Sequence, residues 1–114
     1  MPLLKIQTNV ACPDEKQGEM LKQISASVAD MLGKPERYVM VSFEINPHML
    51  LAGEETPVAY LELKSIGLPE ERTRAFSDTL CGLISDHLGI APERIYIEFS
   101  NAARHLWGWN SGTF

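Results

Sequence analysis

No apolar run in this sequence approaches the roughly 20 residues that a membrane-spanning helix requires, and no membrane partner is expected. The N-terminal stretch lacks an apolar core as well, because Lys5, Gln7, Asn9 and Asp14 interrupt it, so no signal peptide is expected and the cytoplasm is the default location. Cysteine is scarce. Cys12 and Cys81 are far apart and form no CxxC, which excludes a disulfide scaffold and a zinc knuckle. Positive charge is in deficit: ten Lys and Arg stand against fifteen Asp and Glu, a formal net charge of −5. That balance argues against nucleic acid as a partner. GxGxxG, the P-loop and HExxH are all missing. His48, His87 and His105 show no helical pairing, so neither a metal nor another cofactor is expected.

What is there is said twice. Leu32-Gly33-Lys34-Pro35-Glu36-Arg37-Tyr38-Val39 is echoed by Leu88-Gly89-Ile90-Ala91-Pro92-Glu93-Arg94-Ile95. The Pro-Glu-Arg copies begin at Pro35 and Pro92, 57 residues apart in a chain of 114. An internal duplication is the sequence signature of a repeated supersecondary unit. One domain over 1–114 is expected, with pseudo-repeat halves near 1–57 and 58–114.

Each half has the same grammar. Leu3 to Thr8 reads as a strand. Asp14 and Gln17 have capping-box spacing, and Leu21, Ile24, Val28, Met31 and Leu32 recur at helical spacing until Gly33. Val39, Val41, Phe43 and Ile45 then alternate with polar neighbours, the period of a strand. In the second half Val58 to Ser65 is strand-like and Pro69 opens a helix. Its stripe is Phe76, Leu80, Leu83, Ile84, His87 and Leu88, it stops at Gly89, and Ile95, Ile97 and Phe99 form a last strand. His87 reads as a structural member of the stripe. The unit is β-α-β, twice, and a helical crossover makes each strand pair parallel. The predicted architecture is α+β: a four-stranded mixed sheet with two helices on one face. The opposite face, with Tyr96, Glu98 and Ser100, is left for water or another subunit, and an oligomer is expected.

Four features remain unabsorbed: Pro2, Lys34, the Ser65-Ile66-Gly67 turn and Tyr96. Each has an ordinary explanation. A strand-start proline needs no N–H, a lysine after a helix neutralises its negative end, a glycine turn connects elements, and a tyrosine pairs across a sheet. Together with "MPLLKIQTNV", "LGKPERYVMV", "KSIG", "LCGLISDHLGIAPERIYIEF" and "GWNSGTF", they make the sequence resemble the macrophage migration inhibitory factor family of the tautomerase superfamily. The resemblance covers nearly the whole chain.

It implies a homotrimer with sites between subunits and a keto-enol tautomerase acting on phenylpyruvate-type aromatic 2-oxo acids. It also implies that Met1 is removed and that Pro2 then serves as catalytic base. Lys34 matches the lysine that holds the substrate carboxylate, Ser65 and Ile66 the segment whose backbone lines the site, and Tyr96 the tyrosine from a neighbouring subunit. Tyr38, Trp109 and Phe114 match aromatic lining positions. Glu98 stands where animal members usually have Asn, Lys64 where they often have His, and Trp107 where a smaller residue is usual. Val58-Ala59-Tyr60-Leu61 occupies the place of their CxxC, so thiol-disulfide exchange is not expected. The alternative implied by the same resemblance is a cytokine-like ligand of a cell-surface receptor, released by a non-classical route, with weak or vestigial tautomerase activity.

Overall fold

The computed structural model describes residues 1–114. Strand β1 (Leu3–Thr8), helix α1 (Asp14–Leu32) and strand β2 (Met40–Ile45) form the first unit. Strand β3 (Ala59–Ile66), helix α2 (Thr73–Leu88) and strand β4 (Ile95–Ala102) form the second, and a two-residue hairpin, β5 (Gly108–Trp109) and β6 (Gly112–Thr113), follows. The sheet order is β2-β1-β3-β4. The β1–β2 and β3–β4 pairs are parallel and the central β1–β3 pair is antiparallel, which makes the sheet mixed, as expected.

Alternation within the strands decides which face is dry. Leu4, Ile6 and Thr8 of β1 and Ala59, Leu61, Leu63 and Ser65 of β3 are buried. They pack against Met20, Ile24, Val28 and Leu32 of α1 and Phe76, Leu80 and Ile84 of α2 in one core. Thr8 is tolerated there because its hydroxyl donates to the Val58 carbonyl at 2.7 Å and accepts from the Val10 N–H at 3.1 Å. The other face carries Lys5, Gln7, Tyr60, Glu62, Tyr96 and Glu98 in adjacent register and has no helix over it.

Two local expectations are corrected. Asp14 is the first helical residue of α1 rather than its cap, because Pro13 holds the cap position without a side-chain bond. Pro13 has no N–H for a reciprocal capping bond, so Gln17 turns its amide to donate to the Cys12 carbonyl at 2.7 Å. The second helix does not start at Pro69: a single 3₁₀ turn over Glu70–Arg72 precedes α2 at Thr73. His87 is half-buried at the edge of its stripe, as are Leu83 and Leu88. Both glycine stops hold, with φ of +64° at Gly33 and +68° at Gly89. At Gly33 the N–H groups of Gly33 and Lys34 close on the carbonyls of Asp30 and Ala29, a Schellman motif that fixes the backbone on which Lys34 is carried.

Candidate functional site

Pro2 sits immediately before β1, and its carbonyl accepts the Met40 N–H at 3.0 Å, which ties the strand start to the edge strand β2. The pyrrolidine ring is fully buried. It forms one wall of a cleft of about 460 Å³ that also takes in Met1, Tyr38, Trp107, Trp109 and Phe114. Eight of the eleven lining residues are hydrophobic, so the cleft wall is mostly apolar.

The aromatic wall is built from two distant segments. Tyr38 comes from the 3₁₀ turn Glu36–Tyr38 between α1 and β2. Trp109 ends the first strand of the hairpin and Phe114 follows its second, and the turn residues Asn110 and Ser111 both have positive φ, the backbone of a type I′ turn. Tyr38 meets Trp109 edge-on at 5.5 Å and Phe114 at 5.6 Å, while Trp109 and Phe114 stack at 5.0 Å with their planes 14° apart. Pairs of this geometry contribute about 0.5–1.5 kcal/mol each beyond simple burial, so the C-terminal segment is held onto the cleft by the same rings that line it. Trp109 nevertheless keeps 49% of its surface exposed, leaving ring area for a ligand.

The electrostatics at the Pro2 end favour a neutral amine. The Met1 α-ammonium is held below its ordinary value, first by burial and then by the positive charges of Lys34 and Arg104. Burial and like charge both penalise the protonated form. Lys34 is half-buried and is not itself a cleft wall, yet its charge is felt at the terminal nitrogen.

The remaining candidates divide. Ser65 and Ile66 are buried at the end of β3 and do not line the cleft. The antiparallel register pairs Leu3 with Lys64, which brings the end of β3 next to the start of β1, where Pro2 sits. Tyr96 and Glu98 are not brought to Pro2 within the chain. Tyr96 pairs with Tyr60, which pairs with Gln7, five residues from Pro2 and about 17 Å along the strand direction. Tyr96 is 62% exposed on the open sheet face. Glu98 lies on the same face and accepts the Tyr60 hydroxyl at 3.2 Å. Desolvation first, and that hydrogen bond second, push the Tyr60 hydroxyl up to about 12.

Sequence reasoning missed Arg37, Met40 and Arg104 as parts of this site. The signal for Arg37 was present in the Pro-Glu-Arg repeat, which reads as a structural marker until the side chain is seen against the cleft. No group of His, Cys, Asp and Glu in the chain is arranged to hold a metal ion.

A family model described as macrophage migration inhibitory factor matches residues 1–114. A macrophage migration inhibitory factor from Meriones unguiculatus is 35% identical over 115 residues, covering 100% of this chain and 99% of the relative. A homolog from Trichuris trichiura is also 35% identical, with full coverage of both chains. Among solved structures, the crystal structure of a macrophage migration inhibitory factor homologue from Prochlorococcus marinus is similar, with a TM-score of 0.92, 42% identity and 98% coverage of each chain.

Proposed function

The chain belongs to the macrophage migration inhibitory factor family, within the tautomerase superfamily, and we propose that it is a keto-enol tautomerase of phenylpyruvate-type aromatic 2-oxo acids, with Pro2 as base once Met1 is removed. The observation that carries this is the setting of the terminal amine. Burial, Lys34 and Arg104 all disfavour its protonated form. A free α-amino group titrates near 7.7–8.0 and a secondary amine higher, whereas a general base works best near the operating pH. Placed in the same surroundings, the Pro2 amine is drawn toward a neutral, usable form.

In the proposed reaction the Pro2 nitrogen takes a proton from the carbon between the carbonyl and the ring. The C–H electron pair becomes the enol double bond, the carbonyl π pair moves onto the oxygen, which gains a proton from solvent, and the Pro2 ammonium gives its proton back to solvent. Lys34 holds the carboxylate, the backbone of Ser65 and Ile66 closes the Pro2 end, and the substrate ring lies against Tyr38, Trp109 and Phe114. Tyr96 and Glu98 enter from a neighbouring copy, since their face has no cover in the single chain. A carboxylate there raises the pKa of the base and opposes an anionic substrate, so Glu98 limits efficiency.

Two measurements test this. Sedimentation equilibrium is expected to give about three times the 12.7 kDa chain mass, and a monomer at micromolar concentration would remove the shared site. Lys34→Ala is expected to weaken binding of phenylpyruvate by about tenfold, the scale of a charge-assisted hydrogen bond. It should also raise the pKa of the base, because a neighbouring positive charge is lost. The base is active above its pKa, so the acidic limb of the pH–rate profile should move to higher pH. No change in binding or in that limb would leave Lys34 as a helix-end residue only.

A further inference from the structure

The two Pro-Glu-Arg copies end in arginines with different occupations. Arg94 gives its guanidinium to the chain: Nε donates to the Pro57 carbonyl at 3.0 Å, Nη1 to Leu51 at 3.1 Å, and Nη2 to Glu54 and Thr56, each at 3.1 Å. These four bonds lash down the segment that links the two β-α-β units. Arg37 ends the matching tripeptide of the first half. Its guanidinium carbon lies 4.8 Å from the centroid of the Tyr38 ring, and it forms part of the cleft wall. It has no carboxylate partner: the ion pair of this chain is Lys64 with Glu62.

Stacking on an aromatic face holds the planar fork of an arginine in place while leaving its N–H groups free. Such a fork matches a carboxylate with two parallel hydrogen bonds. The cleft is otherwise mostly apolar, so an anion drawn into it meets little competition from other polar walls. Lys34 acts at the Pro2 end, whereas Arg37 stands on the wall beside the aromatic rings.

We propose that Arg37 is a second anion anchor, which makes the cleft select aromatic 2-oxo acids that carry a further carboxylate on the ring. This rests on the tautomerase reading of the same cleft and adds to it a class of dianionic substrate. Arg37 positions the ring end and takes no part in proton transfer.

The test uses the assembled protein and two probes, phenylpyruvate and 4-carboxyphenylpyruvate. Trp107 and Trp109 are the two tryptophans of the chain and both line the cleft, so intrinsic fluorescence reports occupancy without turnover. The unaltered protein is expected to bind the dicarboxylate at least about tenfold more tightly than phenylpyruvate, the scale of hydrogen bonds to a charged group. Arg37→Ala should abolish that preference by weakening the dicarboxylate at least about tenfold more than phenylpyruvate, and Arg37→Lys should restore part of it, as a point charge without the fork. Arg37 is exposed, and circular dichroism of each variant checks that it folds. A preference that survives Arg37→Ala, or equal weakening of both probes, overturns the second anchor. Enol-to-keto turnover is followed in the same samples: binding preference that depends on Arg37 without turnover would leave the anchor standing and remove the tautomerase reading.

Discussion

Keeping Met1 attached is expected to lower phenylpyruvate tautomerisation by about 10²- to 10⁴-fold, the usual contribution of a positioned general base. An attached Met1 makes the Pro2 nitrogen a tertiary amide, which has no proton-accepting lone pair near neutral pH. Met1 also lines the cleft, so crowding must be told apart from loss of the base. The pH–rate profile does this. The processed form should show an acidic limb set by the amine, and the Met1-retaining form should show none. Pro2→Gly, processed to a primary amine, should fall between the two, because it keeps a base but loses the buried ring that fixes the nitrogen. Both forms are confirmed by intact mass before assay. Equal rates with and without Met1 would remove Pro2 as the base while leaving the fold untouched.

Phe76→Ala is expected to cost about 3–5 kcal/mol of stability, the range for deleting a fully buried aromatic ring. Phe76 has no exposed surface and belongs to the core beneath the sheet, and the Arg72 guanidinium carbon lies 5.1 Å from its centroid. A domain commonly has only about 5–15 kcal/mol in total, so this single change takes a large share. Denaturant unfolding at one fixed protein concentration reads the loss, since any assembly makes the midpoint depend on concentration. Phe76→Leu keeps most of the volume and should lose far less. A loss below about 1 kcal/mol for Phe76→Ala would mean that the space collapses or that α2 does not pack as described.

These two outcomes concern different depths of the fold, and the sequence spoke unequally about them. The sequence by itself determined the repeated β-α-β plan, since helical spacing and strand alternation each follow from which side chains must leave water. It also determined both helix ends, because Gly33 and Gly89 accept a positive φ at no steric cost. The capping arrangement at Asp14 was decided by Pro13, whose missing N–H forbids the reciprocal bond that the spacing suggested. The hairpin at Gly108–Thr113 escaped because strands of two residues are too short to show a period. Only tertiary structure decided which residues meet. Register placed Ser65 and Ile66 beside the Pro2 end and carried Tyr96 and Glu98 away from it. Hairpin closure brought Trp109 and Phe114 onto Tyr38, more than seventy residues distant in sequence. Two arginines in identical tripeptides reached opposite ends, one bonded to four carbonyls and one open to the cleft. Local sequence fixes what a residue can donate, and the rest of the chain supplies what stands in front of it.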